Sequence, residues 1–150
     1  MSRSYQKFFI MIGVSGVLMY LVMYLHTYQL NHVVFSETRL YMTLLMVSTM
    51  MLVMFFFMRD MYKSRAMNLA IILGSILLFV TSLFLVRSQV LISDVSWMKG
   101  MIPHHSIAIL TSERAQFSDP RVQELADEII EAQKREIEEM KSLINELENE

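Results

Sequence analysis

Long apolar runs without a charge occupy most of the first part of the chain. They cover residues 8–25, 40–58 and 67–86, which are eighteen, nineteen and twenty residues long. A bilayer core about 30 Å thick is crossed by about twenty helical residues, so each run predicts one transmembrane helix. The first run is not followed by a small-residue cleavage site, which favours a retained helix over a signal peptide.

The pattern changes after residue 86 from uniformly apolar to amphipathic. Asp119-Pro120 predicts a helix start, because the Asp side chain can cap it and the proline has no N–H to leave unpaired. Apolar positions then recur every three or four residues over 122–147, which predicts a helix of about seven turns. Residues 94–117 are also predicted to be helical, able to continue from the third span but interrupted at Pro103.

These elements predict an all-α protein in two domains. Residues 1–87 form a three-span transmembrane domain, and residues 88–150 form a soluble antiparallel helical hairpin that turns around Ser118. Two amphipathic helices cannot bury both of their apolar faces alone. We therefore expect a homo-oligomer in which the hairpin of a second protomer completes a four-helix bundle.

Charge is divided unevenly between these two parts. Residues 1–87 carry seven Lys/Arg against two Asp/Glu, and residues 88–150 carry six against thirteen. Basic residues precede the first span and fill the loop between the second and third (Arg3, Lys7; Arg59, Lys63, Arg65). The positive-inside rule therefore predicts a cytoplasmic N-terminus and a periplasmic or extracellular hairpin. The acidic balance of the hairpin disfavours nucleic-acid binding.

Methionine is the compositional oddity, with fifteen residues against no cysteine. The second span has a methionine at every fourth position from Met42 to Met58. Steps of four make the row wind about 160° around the helix. Two interpretations stay open: a thioether path for a soft ion, or flexible packing against lipid and neighbouring helices. His32 is expected to be a solvated loop residue rather than a ligand.

One cluster in the hairpin has the chemistry of a metal site. Met98, Met101 and His105 share a helical face, and His104 lies one turn from Met101. When the hairpin folds, Met140 is level with Met98. Thioethers favour Cu(I) and imidazole accepts copper, whereas zinc prefers thiolate, imidazole or carboxylate. The alternative is that these methionines are ordinary core and the histidines pack or cap a kinked helix.

The turn at Ser118 also predicts which residues face each other. His104 and His105 should be level with residues 131–132 of the second helix. Gln133 and Glu136 lie near that height on the second helix.

The segment Met101 to Ile109 reads Met-Ile-Pro-His-His-Ser-Ile-Ala-Ile. It resembles the signature of the domain of unknown function 305 family, and the resemblance covers about residues 94–147. The family is similar to ferritin-like helical bundles, and some secreted or periplasmic members bind copper through Met and His and are linked to copper tolerance. The copper ligands that the resemblance implies are Met101, His104, His105 and Met140, with Met98 as a helper. It also implies residues around the ligands: Gln133, Glu136, Asp94 and Trp97. Of these, Gln133 and Glu136 could orient the imidazoles by hydrogen bonds.

This chain has one such unit where many family members carry two, and it adds three spans. Both departures favour assembly of the site from two chains. The leading hypothesis is a protein of the bacterial cytoplasmic membrane that holds Cu(I) on the outer side. Buffering, tolerance, delivery to a cuproprotein and transfer to an exporter all fit that hypothesis.

Two other classes of function are alternatives to copper binding. The first is a module without metal that mediates oligomerisation or docking to another membrane protein. The second is an enzyme. No nucleophile–base pair and no phosphate-cradling glycine loop is recognisable in the sequence. We therefore expect binding rather than catalysis.

Overall fold

The computed structural model describes residues 3–149, and within this range the chain is helical without any strand. Five α-helices account for most of it: α1 Arg3–Val22, α2 Glu37–Phe57, α3 Arg65–Ser88, α4 Asp94–Arg114 and α5 Pro120–Glu148. Short 3-10 turns lie at Leu30–His32 and Arg59–Met61. The predicted all-α class, with three apolar helices before a helical hairpin, is confirmed.

The chain divides into two compact units. The span unit contains α1, α2 and α3, and each of these helices is long and apolar enough to cross a membrane. The hairpin unit contains α4 and α5 together with Tyr24–Glu37, which we call loop 24–37. This loop is covalently part of the connection between α1 and α2, yet its contacts group it with the C-terminal helices.

An aromatic cluster lies at the end of the span unit where α1 begins and α2 ends. The ring of Tyr62 stacks on that of Phe55, with centroids 5.6 Å apart, and on that of Tyr5 at 5.1 Å. Several partly buried methionines pack around this cluster: Met19, Met50, Met51, Met54, Met58 and Met67. Met42 and Met46 are exposed. The methionine row of α2 therefore divides into outward and inward members, as its winding predicts.

A break separates α3 from α4, so the two helices are not continuous. Gln89 adopts a left-handed conformation with φ of 53°, and its N–H donates to the carbonyl oxygen of Leu85. Helix α4 then begins with its own cap, because the backbone N–H of Ser96 donates to the Ser93 hydroxyl at 3.2 Å.

Helix α4 passes through Pro103, where the sequence predicts an interruption. A proline inside a helix removes one backbone hydrogen bond and crowds the preceding turn. Here Ile102 and Pro103 are both fully buried. The free energy gained by burying these side chains offsets the loss of that hydrogen bond.

Helix α5 begins at Pro120, as the sequence predicts. The Oδ1 atom of Asp119 accepts a hydrogen bond from the backbone N–H of Arg121 at 2.9 Å. The Arg121 side chain also donates to this carboxylate, at 2.7 Å to Oδ2. These hydrogen bonds hold the pKa of Asp119 below its ordinary value.

The two helices of the hairpin unit enclose one buried cluster: Met98, Ile102, Ile109, Ile137 and Met140. Tyr28 and Val34 of loop 24–37 pack against it. The core of this unit is therefore built from three segments rather than from two helices alone.

Replacing Ile137 by alanine tests this core. Ile137 is 1% exposed, so Ile137→Ala should lower the free energy of opening α4 and α5 by about 2–4 kcal/mol through lost burial and a cavity. Leu143→Ala on the same helix is the control, because Leu143 is 41% exposed. Hydrogen exchange of the α4 and α5 amides in the full chain measures the free energy of opening in both variants. Equal losses of stability in Ile137→Ala and Leu143→Ala would contradict the packing.

Candidate functional site

Two of the predicted ligand side chains meet inside the hairpin unit. Met98 of α4 is 5% exposed and Met140 of α5 is 7% exposed, and both belong to the same buried cluster. Met101 is partly buried and packs against that cluster from α4. The fold thus gathers three thioethers from two helices, as the spacing along α4 and the turn predict.

His105 lies one turn from Met101 on α4 and has a hydrogen-bond partner at both ring nitrogens. Its Nδ1 is 3.0 Å from the carbonyl oxygen of Met101, and its Nε2 is 2.7 Å from Oε2 of Glu136. Both partners are oxygens, so each ring nitrogen of His105 has a hydrogen-bond partner. His105 is 9% exposed, so its orientation is fixed by neighbours rather than by solvent.

The residue that contacts His105 lies further along α5 than the height predicted for this contact. The turn at Ser118 puts His105 level with residues 131–132, whereas the contact is with Glu136. Helical side chains lean toward the N-terminus of their own helix. In an antiparallel pair, His105 therefore leans away from the turn and Glu136 leans toward it. The contact shifts along α5 by about one turn.

The other predicted residues lie outside this cluster. His104 is exposed, and its ring centroid is 6.2 Å from that of His105. Asp94 and Trp97 are exposed in the first turn of α4, and Gln133 is half-buried on α5. Within residues 3–149, no three His, Asp or Glu side chains gather as a metal site.

His32 is not the solvated residue that the sequence predicts. It is 4% exposed, and its Nδ1 lies 2.9 Å from the hydroxyl oxygen of Ser106. Burial lowers the pKa of His32, and the charge of Lys141 lowers it further against the opposite effect of Glu138.

Sequence reasoning missed this contact because its partners lie 74 residues apart. A weak signal exists nonetheless. Ser106 is a polar residue beside the buried face of the motif, and a buried hydroxyl needs a hydrogen-bond partner.

Comparisons with known proteins cover both parts of the chain. Residues 90–150 match the family described as a domain of unknown function (DUF305). A protein of Acanthamoeba polyphaga mimivirus, itself described as uncharacterized, is 37% identical over 108 residues, covering 71% of this chain and 69% of the viral protein. That match is longer than residues 90–150, so the similarity extends beyond the hairpin helices. No solved structure matches the chain.

The fold and the motif define a class: an all-helical protein in which three membrane-length helices precede a helical hairpin containing Met and His. This chain belongs to the DUF305 family. The resemblance carried by residues 101–109 is thereby confirmed.

The two buried methionines can be exchanged without loss of the fold. Leucine has nearly the volume of methionine, so the double variant Met98→Leu/Met140→Leu should change the free energy of opening the hairpin by less than about 1.5 kcal/mol per site. Hydrogen exchange of α4 and α5 is the measurement. Widespread loss of protection would mean that the sulfurs, and not only their volume, are needed for packing.

Proposed function

We propose that the protein binds Cu(I) in the hairpin unit through thioether sulfurs and one imidazole. The observation that carries this proposal is the burial of Met98 and Met140 in one cluster, with Met101 packed against it. His105 shares the α4 face of Met98 and lies one turn from Met101. Thioethers are soft ligands, and Cu(I) is the soft ion that combines them with imidazole. Copper is here the cargo of the protein rather than a cofactor for a reaction.

The donor set favours copper over harder metals. Zinc sites use thiolate, imidazole and carboxylate, and the chain has no cysteine. The ionisable side chain held against His105 is Glu136, which makes one imidazole–carboxylate pair rather than a carboxylate-rich site. The ligands proposed for Cu(I) are Met98, Met101, Met140 and His105.

The hydrogen bonds of His105 suggest how it serves as a ligand. Metal-binding histidines usually donate the N–H of the other ring nitrogen to a carbonyl or carboxylate, which fixes the ring. The Nδ1 contact with the Met101 carbonyl already supplies this support. Nε2 is then the ligand atom: copper takes the place of the proton shared between Nε2 and Glu136, and that proton is released to water.

His104 is not among the ligands proposed within one chain. Its exposed side chain is available to a second protomer or to a copper acceptor, rather than to the cluster in its own chain. This agrees with the expectation that two chains complete the site. It also suggests an entry point at which copper passes to a cuproprotein or an exporter.

Copper binding is tested with the full chain in detergent by competition for Cu(I) against a chromophoric chelator. Met98→Leu/Met140→Leu should weaken the affinity more than about tenfold, because two ligands are lost while the fold remains. Met42→Leu/Met46→Leu is the matched control, since both methionines are exposed on α2. Equal affinity of the hairpin variant, the control and the natural chain would refute the proposal.

The proposed location is the bacterial cytoplasmic membrane, with the N-terminus in the cytoplasm and the hairpin on the periplasmic or extracellular side. The basic residues before α1 and between α2 and α3 support this orientation. On that side the protein would buffer Cu(I), confer tolerance, or deliver the ion.

The orientation is tested by single-cysteine labelling, because the chain has no cysteine of its own. Gln123→Cys on α5 should react with a membrane-impermeant maleimide in spheroplasts. Lys63→Cys, between α2 and α3, should react only after lysis. The reverse pattern would contradict the orientation.

A second function is favoured by one observation on α5. Several apolar side chains of this helix are exposed: Val122, Leu125, Leu143 and Leu147. Such side chains suit an oligomerisation or docking module, including a dimer that completes a four-helix bundle. In this case the loss of His104 and His105 would alter assembly and leave copper affinity unchanged.

A further inference from the structure

Hydrogen bonds to Ser106 hold loop 24–37 against helix α4. The hydroxyl oxygen of Ser106 accepts the backbone N–H of Tyr28 at 2.7 Å and lies 2.9 Å from Nδ1 of His32. Ser106 is fully buried, and His32 nearly so. A second contact lies nearby, where the Tyr28 hydroxyl donates to Oε1 of Glu113 at 3.0 Å. One serine thus ties two points of the loop to the helix.

A neutral His32 whose Nδ1 carries no hydrogen can accept the hydrogen of the Ser106 hydroxyl. The Ser106 hydroxyl has one hydrogen, and its oxygen already accepts from Tyr28. That hydrogen can be donated to Nδ1 of His32 only if Nδ1 carries none. A second proton on the ring would turn Nδ1 into a donor and leave the Ser106 hydrogen without this acceptor.

The surroundings of His32 also disfavour a positive charge. Lys134 and Glu138 line a cavity of about 120 Å³ beside the ring, and Lys141 lies within electrostatic reach. Glu138 is engaged by Lys141, whose ammonium lies 2.8 Å from its carboxylate, and this pairing lowers the pKa of Glu138. Its negative charge is therefore shared and retained in mild acid. On balance, burial and Lys141 outweigh Glu138 and oppose a protonated His32.

We propose that His32 is a proton-operated latch: the neutral ring holds loop 24–37 on the hairpin helices, and protonation of the ring releases the loop. The latch is independent of the copper proposal, because its residues include none of the proposed ligands. Loop 24–37 is continuous with α2, and its first residues follow α1. Release therefore frees a segment that runs between two membrane-length helices from the hairpin core.

The direction of the pH effect follows from linkage. The pKa of His32 in the docked loop lies below its ordinary value of 6.5, which the released loop would restore. Docking is therefore fully stable above pH 6.5 and weakens as the pH falls toward the lowered value. Because one proton is taken up on release, the docking equilibrium shifts by up to about tenfold per pH unit in that window.

The latch is tested by hydrogen exchange of the full chain in nanodiscs between pH 8 and pH 5, with rates corrected for the intrinsic pH dependence. The natural chain should lose protection at the Tyr28 amide as the pH falls below 6.5, while α4 and α5 stay protected. In His32→Asn, the amide can replace the Nδ1 hydrogen bond but does not titrate. Its loop should keep the same protection at every pH.

Two matched variants separate His32 from its neighbours. His26→Asn removes another histidine from the same loop, and Glu113→Gln removes the carboxylate that touches Tyr28. Both variants should keep the pH-dependent release. Persistence of the release in His32→Asn, or its absence from the natural chain, would overturn the latch.

A measurement on the natural chain covers the case in which His32→Asn does not dock its loop at all. Nuclear magnetic resonance of isotope-labelled histidine side chains reports the titration of His32 directly. The loop should be released over the pH range in which His32 titrates. Release at a different pH, or a His32 that titrates at or above 6.5, would overturn the proposal.

Discussion

The hairpin unit depends on the packing of Ile102 and Ile109 of α4 with Ile137 of α5. Each side chain is at most 2% exposed, and full burial of an isoleucine contributes about 1.5–3 kcal/mol. Without this contact, the apolar stripe of a long, otherwise charged helix would face water. Because the contact fixes both helices in rotation, it also determines which residues beside it are buried. Met98 and Met140 are buried with it, whereas His104 is exposed.

Adjacent residues of the motif make contacts on different sides of α4. Consecutive residues point about 100° apart on a helix. His105 turns to Glu136 of α5, and Ser106 turns to His32 and Tyr28 of loop 24–37. A short motif therefore holds the hairpin together on one side and anchors a distant loop on the other. The proposed copper chemistry and the proposed latch use different atoms of the same helix.

The sequence predicts whatever depends on local pattern. The three apolar helices, the start of α5 at Asp119-Pro120 and the shared face of Met98 and Met101 all follow from spacing or capping. Pro103 was expected to interrupt α4, because local rules do not include the free energy of burying this turn in a core. Pro103 is buried, and α4 continues through it without interruption.

Non-local contacts lie beyond such reasoning. The residues around His32 give no sign of its contact with a hydroxyl 74 residues away. The sequence therefore predicts a solvated loop histidine, whereas the structure buries it. The height at which His105 meets α5 differs from the predicted one by about one turn, for a different reason. Heights estimated from Cα positions leave out the lean of side chains along a helix. The proposed ligand cluster could be predicted as a set of residues, and Glu136 was a candidate for orienting an imidazole. Which histidine it contacts, and through which ring nitrogen, could not be predicted.

X-ray absorption at the copper edge on the Cu(I)-loaded full chain tests the central claim most directly, because it reports the atoms bound to the metal. The account predicts sulfur ligands together with one imidazole. The sulfur signal should fall in Met98→Leu/Met140→Leu, and the imidazole signal should disappear in His105→Ala. A copper environment of only nitrogen and oxygen, or one unchanged by these substitutions, would contradict the proposed site.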